Sequence, residues 1–163
     1  MIKLFVSDID GTLTDSTIYV SAEGEELKQF SHRDGRGFHL LKNNTECKAV
    51  LMTSELKGIN QARGRKLLDL GTLYAFVDGN TKGDKLFKIN KLCFELDITI
   101  DEVAFIGDDT NDLAALKAVG IAACPSDSVQ EVLDIPGIHI MPKKGGNGAV
   151  RAFIDYLILE GLV

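Results

Sequence analysis

Apolar positions along the chain fall into short unbroken runs separated by longer amphipathic stretches. "IKLFV", "KAVLM" and "VAFIG" are continuous rather than alternating, the pattern of strands covered on both faces. These runs predict strands near 2–7, 47–53, 74–77, 103–107 and 121–124. The segments between them, apolar at helical spacing, predict helices near 34–43, 57–70, 83–96, 110–118 and 147–160. Regular alternation of strand and helix implies an α/β fold built on a doubly wound parallel sheet. No repeat, low-complexity tract or linker-like stretch interrupts the pattern, so residues 1–163 are read as a single domain.

One segment departs from that rhythm. "TIYVSAEGEELKQFS", Thr17 to Ser31, has two short extended runs around Ala-Glu-Gly-Glu and predicts a β-hairpin inserted near 17–31. It follows the acidic stretch Asp8–Asp15 and could reach over the end of the first strand. It is either an ordinary surface hairpin or one that shapes the mouth of a site or a subunit contact.

In open α/β sheets ligands bind outside the carboxyl ends of the strands, so the residues ending each strand carry the information. The first strand runs into "SDIDGTLTD", which crowds Asp8, Asp10 and Asp15. The second ends in Thr53, Ser54 and Glu55, and the fourth in "GDDTND", with Asp108, Asp109, Asn111 and Asp112. Between the third and fourth strands "NTKGDKL" supplies Lys82 and Lys85. A single Asp or Thr at such a position is commonly a turn residue or helix cap. The coincidence at several strand ends calls for more than capping.

Carboxylates gathered as Asp8, Asp10 and Asp108 repel one another as bare anions but suit a hard, oxygen-preferring divalent cation, Mg²⁺ being the usual choice beside a phosphate. One carboxylate in line with a phosphoryl group can attack phosphorus. A second, two residues on, can protonate the leaving oxygen and then activate water. Thr53 or Ser54 together with Lys85 would hold the phosphoryl oxygens, where charge is spread in the transition state.

Composition narrows the setting. A formal net charge of −6 argues against a general nucleic-acid or membrane-surface binder. No apolar run approaches the ~18 residues of a membrane span. The N-terminus enters a strand without the features of a signal peptide, so a cytoplasmic location is expected. Cys47, Cys93 and Cys124 sit in apolar contexts without paired spacing and read as small buried thiols. His32, His39 and His139 lack metal-ligand spacing.

At its polar strand ends the chain resembles the haloacid dehalogenase superfamily of phosphohydrolases. "DIDGTLT" resembles the first motif of that superfamily, "VLMTSE" the second, Lys85 the third and "GDDTND" the fourth. The resemblance implies Asp8 as nucleophile, Asp10 as general acid/base, and Asp8, the Asp10 carbonyl and Asp108 as Mg²⁺ ligands. It also implies Thr53 and Lys85 as phosphate ligands. Lys82 is the alternative to Lys85, and Asp109 and Asp112 belong either to the metal shell or to a helix cap. The stretch between Asp10 and the second strand is too short for the cap domain of larger members, so the small hairpin stands in its place.

Over nearly its whole length the chain is similar to the capless, homotetrameric phosphatases of 3-deoxy-octulosonate 8-phosphate and nonulosonate 9-phosphates. That similarity extends to the hairpin, to "HRDGRGFHLL" and to the tail "KKGGNGAVRAF". It implies a Mg²⁺-dependent phosphomonoester hydrolase acting through an aspartyl-phosphate, assembled as a homotetramer by its hairpins, with the glycine-rich tail of one subunit closing a neighbour's site. Ser54, Glu55, Asn111 and Arg33 are further candidates for substrate contact. Octulosonate phosphatases usually have Gly-Arg where this chain has Ser54-Glu55, and often an Arg at the position of Asn147. Glu55 is typical of the nonulosonate enzymes, which points to a nine-carbon substrate such as N-acetylneuraminate or KDN 9-phosphate. Arg33, Arg36, Lys143, Lys144 and Arg151 are candidate partners for the sugar acid's carboxylate. Two other readings are a phospho-accepting receiver domain, disfavoured by the Asp-x-Asp pattern after strand one, and a non-catalytic tetramerisation module related to the C-terminal domain of CMP-sialic acid synthetases. Retention of Asp10 and the motif lysine argues against the latter.

Overall fold

The computed structural model describes residues 1–55, 58–78 and 85–163. The chain begins with strand β1 (Leu4–Ser7), an antiparallel hairpin of β2 (Tyr19–Val20) and β3 (Glu26–Leu27), and helix α1 (His32–Asn44). It continues through β4 (Lys48–Thr53), α2 (Gly58–Asp69), β5 (Ala75–Asp78), α3 (Lys85–Leu96) and β6 (Val103–Ile106). The last third holds α4 (Leu113–Leu116), β7 (Ile121–Cys124), α5 (Gln130–Leu133), β8 (His139–Ile140) and α6 (Ala149–Leu159). Six parallel strands form one sheet in the order β5-β4-β1-β6-β7-β8. The chain builds outward from β1 on one side, then returns to build on the other. The strand order therefore reverses at β1, which leaves the crevice for a ligand at its carboxyl end.

The unbroken apolar runs have a direct physical origin. Alternate side chains of a strand face opposite sides of the sheet, and both sides are covered. Phe5 joins Phe38, Leu41, Leu51, Phe153 and Leu157 beneath α1 and α6. Leu4 and Val6 join Val50, Met52, Phe105, Ile89 and Leu116 beneath α3 and α4. Both faces are covered over Leu4–Val6, so polarity begins at the last residue of the strand, Ser7. The register pairs Ser7 with Leu51 on one side and with Ile106 on the other, which brings the ends of β4 and β6 level with Asp8.

Among the described residues the predicted strands and helices are present, with short additions and one change. α5 and β8 are four and two residues long, too short to leave a periodic signal. The helix expected near 110–118 is a 3₁₀ turn at Thr110–Asp112 leading into the four-residue α4. All three cysteines are free and buried. Among the described residues no helix is long and apolar enough to cross a membrane.

The glycine-rich tail packs on its own chain. A Cβ on Gly145 would overlap the Gly11 carbonyl, and the Gly146 N–H donates to Thr12 O (3.1 Å). The tail turn thus backs the loop that follows β1. What ties it there is Asp34, fully buried in the first turn of α1, which accepts the N–H groups of Gly148 (3.2 Å) and Arg151 (2.8 Å) at the start of α6. Burial raises the Asp34 carboxyl above its ordinary range, and these two donors oppose that rise. This long-range cap accounts for the Asp in "HRDG" and the close-packed glycines of "KKGGNG" together. Asp34→Ala should therefore destabilise the fold by about 1–2 kcal/mol. Thermal unfolding should register this as a fall of about 2–4 °C per kcal/mol in a chain of this size.

Candidate active site

Asp8 is the first residue beyond β1, and its N–H donates to Ile106 O (3.0 Å), extending the sheet by one bond. The chain then coils tightly: the N–H groups of Thr12, Leu13 and Thr14 all return to Ile9 O (3.3, 2.9 and 3.0 Å). Gly11 adopts φ +91°, and a Cβ there would overlap the Asp108 carboxylate. Glycine is required both for the left-handed backbone and for Asp108 to approach. Thr12 Oγ1 donates to Asp108 Oδ1 (3.0 Å).

Lys85, the first residue of α3, is 1% exposed and reaches inward. Its ammonium donates to Asp8 Oδ1 and to Asp112 Oδ1, each at 2.5 Å. The other Asp112 oxygen accepts the N–H groups of Asp108 (3.0 Å) and Asp109 (3.3 Å), so Asp112 shapes the loop after β6 while aiming the lysine. Lys85 is therefore the lysine that meets the Asp8 carboxylate, and Lys82 lies outside the described residues.

Asp8, Asp108 and Asp112 are all buried, with oxygens within 4.8 Å of one another. Burial lifts the Asp8 carboxyl well above its ordinary range, Lys85 opposes this, and Asp112 and Asp108 add to it. Asp108 is pushed up to about 7, by burial first and Asp112 second. Lys85 is held protonated above its ordinary range by Asp8 and Asp112 against the opposing effect of burial. Three buried carboxylates thus face one ammonium. An all-oxygen donor set short of two positive charges fits a hard divalent cation. Both oxygens of Asp112 are engaged by Lys85 and two backbone N–H groups, which leaves Asp8 and Asp108 as the candidate carboxylates for such a cation, beside the Asp10 carbonyl implied by the motif.

A second ammonium organises the outer part of the site. Lys28 follows β3, and its side chain is 2% exposed. It pairs with Asp10 Oδ1 (2.7 Å) and Glu55 Oε2 (2.8 Å). These two carboxylates keep it protonated although burial works the other way. The second Asp10 oxygen accepts from Thr53 Oγ1 (3.2 Å) and Asn60 Nδ2 (2.8 Å). Thr53 Oγ1 also accepts the Glu55 N–H (3.0 Å), and Asn60 donates to Glu55 O (3.1 Å), fixing the turn after β4.

A cleft of about 230 Å³ opens over these groups, lined by Asp8, Asp10, Thr53, Ser54, Glu55 and Asn111, with Ser16 and Asp109 at its rim. Asn111 Nδ2 reaches Ser54 Oγ at 3.5 Å across it. A larger cavity of about 670 Å³, lined by Ile2, Lys3, Lys48 and Leu96, lies at the opposite, amino end of the strands and holds none of this chemistry. Position and donor set, rather than size, identify the site.

Most of the residues expected from the sequence therefore converge: Asp8, Asp10, Thr53, Ser54, Glu55, Lys85, Asp108 and Asn111. Arg33 is exposed on the first turn of α1 and does not line the cleft. Asp109 caps the 3₁₀ turn through the Thr110 N–H (2.6 Å). Lys28, Asn60 and Thr12 were not singled out by the sequence. Asn60 left a signal, because it shares the buried face of α2 with Gly64 and Leu67, where a polar residue needs a partner.

Comparison with known proteins agrees with this geometry. A family profile described as haloacid dehalogenase-like hydrolase matches residues 77–152. The 3-deoxy-D-manno-octulosonate 8-phosphate phosphatase KdsC of Yersinia pestis is 33% identical over 97% of this chain and 80% of its own length. The Haemophilus influenzae KdsC is 31% identical over 96% and 83%. The crystal structure of the Moraxella catarrhalis 3-deoxy-D-manno-octulosonate 8-phosphate phosphatase, in complex with magnesium, phosphate and KDO, superposes with a TM-score of 0.86 at 30% identity, covering 97% of this chain and 86% of that one. The cobalt-bound Haemophilus influenzae phosphatase gives 0.81 at 30% identity, covering 98% and 90%. The chain is thus a phosphomonoesterase of the haloacid dehalogenase-like hydrolases and belongs to their 3-deoxy-D-manno-octulosonate 8-phosphate phosphatase family.

Proposed function

We propose that this protein is a Mg²⁺-dependent hydrolase of a 3-deoxy-sugar-acid phosphate, working through an aspartyl-phosphate on Asp8. The observation that carries this reading is the Asp8 carboxylate clasped by Lys85 beside Asp108, with Asp10 two residues on at the same cleft. Asp8 and Asp108 would hold Mg²⁺ with the Asp10 carbonyl; when bound, the ion neutralises charge on the carboxylates and on the phosphoryl oxygens. An Asp8 carboxylate oxygen attacks phosphorus as the bond to the sugar oxygen breaks, and Asp10 delivers its proton to that oxygen. Asp10 then takes a proton from water, whose oxygen attacks phosphorus, and the bond to Asp8 breaks to release inorganic phosphate. Lys85, Thr53 and Ser54 hold the phosphoryl oxygens during both transfers.

The relatives' activity supports octulosonate 8-phosphate as the substrate. Glu55 favours a second reading, a nonulosonate 9-phosphate, since a carboxylate cannot grip the sugar acid's own carboxylate as a guanidinium would. Mg²⁺-dependent phosphate release from octulosonate 8-phosphate, N-acetylneuraminate 9-phosphate, KDN 9-phosphate and hexose phosphates distinguishes them. Activity confined to hexose phosphates, or absent throughout, would overturn the sugar-acid reading. The hairpin exposes Ile18, Tyr19, Val20 and Leu27 to solvent, which supports assembly with further copies of the same chain, as the homotetramer implied by the family resemblance.

Asp8→Asn should lower kcat by more than about 10³-fold, and Asp10→Asn by about 10²–10⁴-fold, with far-ultraviolet circular dichroism unchanged. Cation binding needs the Asp108 carboxylate, and a proton competes for it below the pH of about 7 to which that group is raised. Mg²⁺ affinity by calorimetry should accordingly be about fivefold weaker at pH 6 than at pH 7 and level off above pH 8. Sedimentation should find a tetramer, and replacing Tyr19 and Leu27 together by Ser should shift it towards smaller species.

A further inference from the structure

Lys28 has no part in the phosphoryl-transfer scheme above, yet it makes two of the closest polar contacts at the cleft. It belongs to the hairpin rather than to the sheet. Consecutive residues of an extended segment point to opposite sides, so Leu27 is 69% exposed while the Lys28 side chain turns inward and is 2% exposed. Its ammonium lies between Asp10 Oδ1 at 2.7 Å and Glu55 Oε2 at 2.8 Å. With Thr53 and Asn60 on Oδ2, the Asp10 carboxylate is held from three separate elements: the hairpin, β4 and α2. Among the described residues the hairpin contact is what fixes Oδ1. Without it, Asp10 Oδ1 would lose that donor.

We propose that Lys28 is a positioning residue for Asp10: the hairpin ammonium fixes the place of that carboxylate at the cleft, and Glu55 anchors the ammonium. The role rests on the reading of Asp10 as general acid/base. It makes the hairpin part of the catalytic apparatus as well as a surface for assembly. A misplacement of about 1 Å in such a group can cost about 10²-fold, so the effect belongs in kcat and in the step that protonates the leaving group.

The test compares Lys28→Met with wild type on the preferred sugar phosphate and on 4-nitrophenyl phosphate, whose leaving group departs without a proton. For Lys28→Met, kcat on the sugar phosphate should fall about 10–100-fold, with KM within about twofold of wild type. Single-turnover release of nitrophenol should keep its wild-type rate. Lys28→Arg should restore most of kcat, since a guanidinium can also span two carboxylates. A raised KM with unchanged kcat would overturn the proposal by making Lys28 a substrate ligand. An equal loss on both substrates together with a lowered unfolding temperature would make it merely structural, and unchanged kinetics would remove the role altogether. Wild-type turnover separates the two levels: its absence overturns the proposed function and the positioning role with it, whereas its presence beside an unaffected Lys28→Met overturns the positioning role alone.

Discussion

The pairing of one buried ammonium with two buried carboxylates governs the arrangement of the strand ends. Lys85 can be buried only because Asp8 and Asp112 meet it, and those carboxylates tolerate burial only because Lys85 is there. Each partner sits on a different element: Asp8 beyond β1, Lys85 at the start of α3, Asp112 in the turn before α4. The pairing therefore locks the chain's two halves together at the reversal point of the sheet. It does so incompletely, since Asp108 remains in excess with a carboxyl pushed up to about 7. That residual charge is what makes the locked structure receptive to a divalent cation.

Lys28 repeats the device one layer out, with Asp10 and Glu55 in place of Asp8 and Asp112. The difference lies in what carries it. Lys85 starts a twelve-residue helix packed on the sheet, whereas Lys28 follows a hairpin of two-residue strands whose other face is exposed. The inner clamp is rigid by construction and the outer one depends on how the hairpin is held.

The parallel sheet was legible because covering both faces of β1, β4 and β6 forces continuous apolar runs. Asp8, Asp10 and Asp108 were legible because nothing else explains clustered carboxylates at buried strand ends. Which lysine met them was not, since the approach to α3 contains glycine and the choice depends on where the helix begins. Lys28 was illegible for another reason: its partners lie 18 and 27 residues away, and only the tertiary placement of the hairpin turns it inward while Leu27 turns out. Asp34 was quoted within a motif, but its cap on α6 spans more than a hundred residues, and no local pattern encodes such a bond.

The pairing of Glu55 with Lys28 also changes what Glu55 means for substrate choice. A bare carboxylate at the mouth would repel an anionic sugar acid, but Glu55 shares an ammonium with Asp10 and is largely neutralised for a ligand above it. Its remaining capacity is to accept hydrogen bonds, which suits substrate hydroxyls. Among the described residues the cleft is lined by acids, hydroxyls and Asn111, with no basic side chain. Lys28 and Lys85 lie beneath it, committed to carboxylates. In the proposed reaction the phosphate has Mg²⁺ and Lys85 to balance it, while the sugar acid's carboxylate, at the far end of the same molecule, meets no cation among the described residues of this cleft. Arg33 does not line it, and Gly145 and Gly146 of the tail are packed against the chain's own Gly11–Asp15 loop. Among the described residues, then, the cleft answers the phosphate end of the proposed substrate and offers its carboxylate end only hydroxyls, an amide and acids.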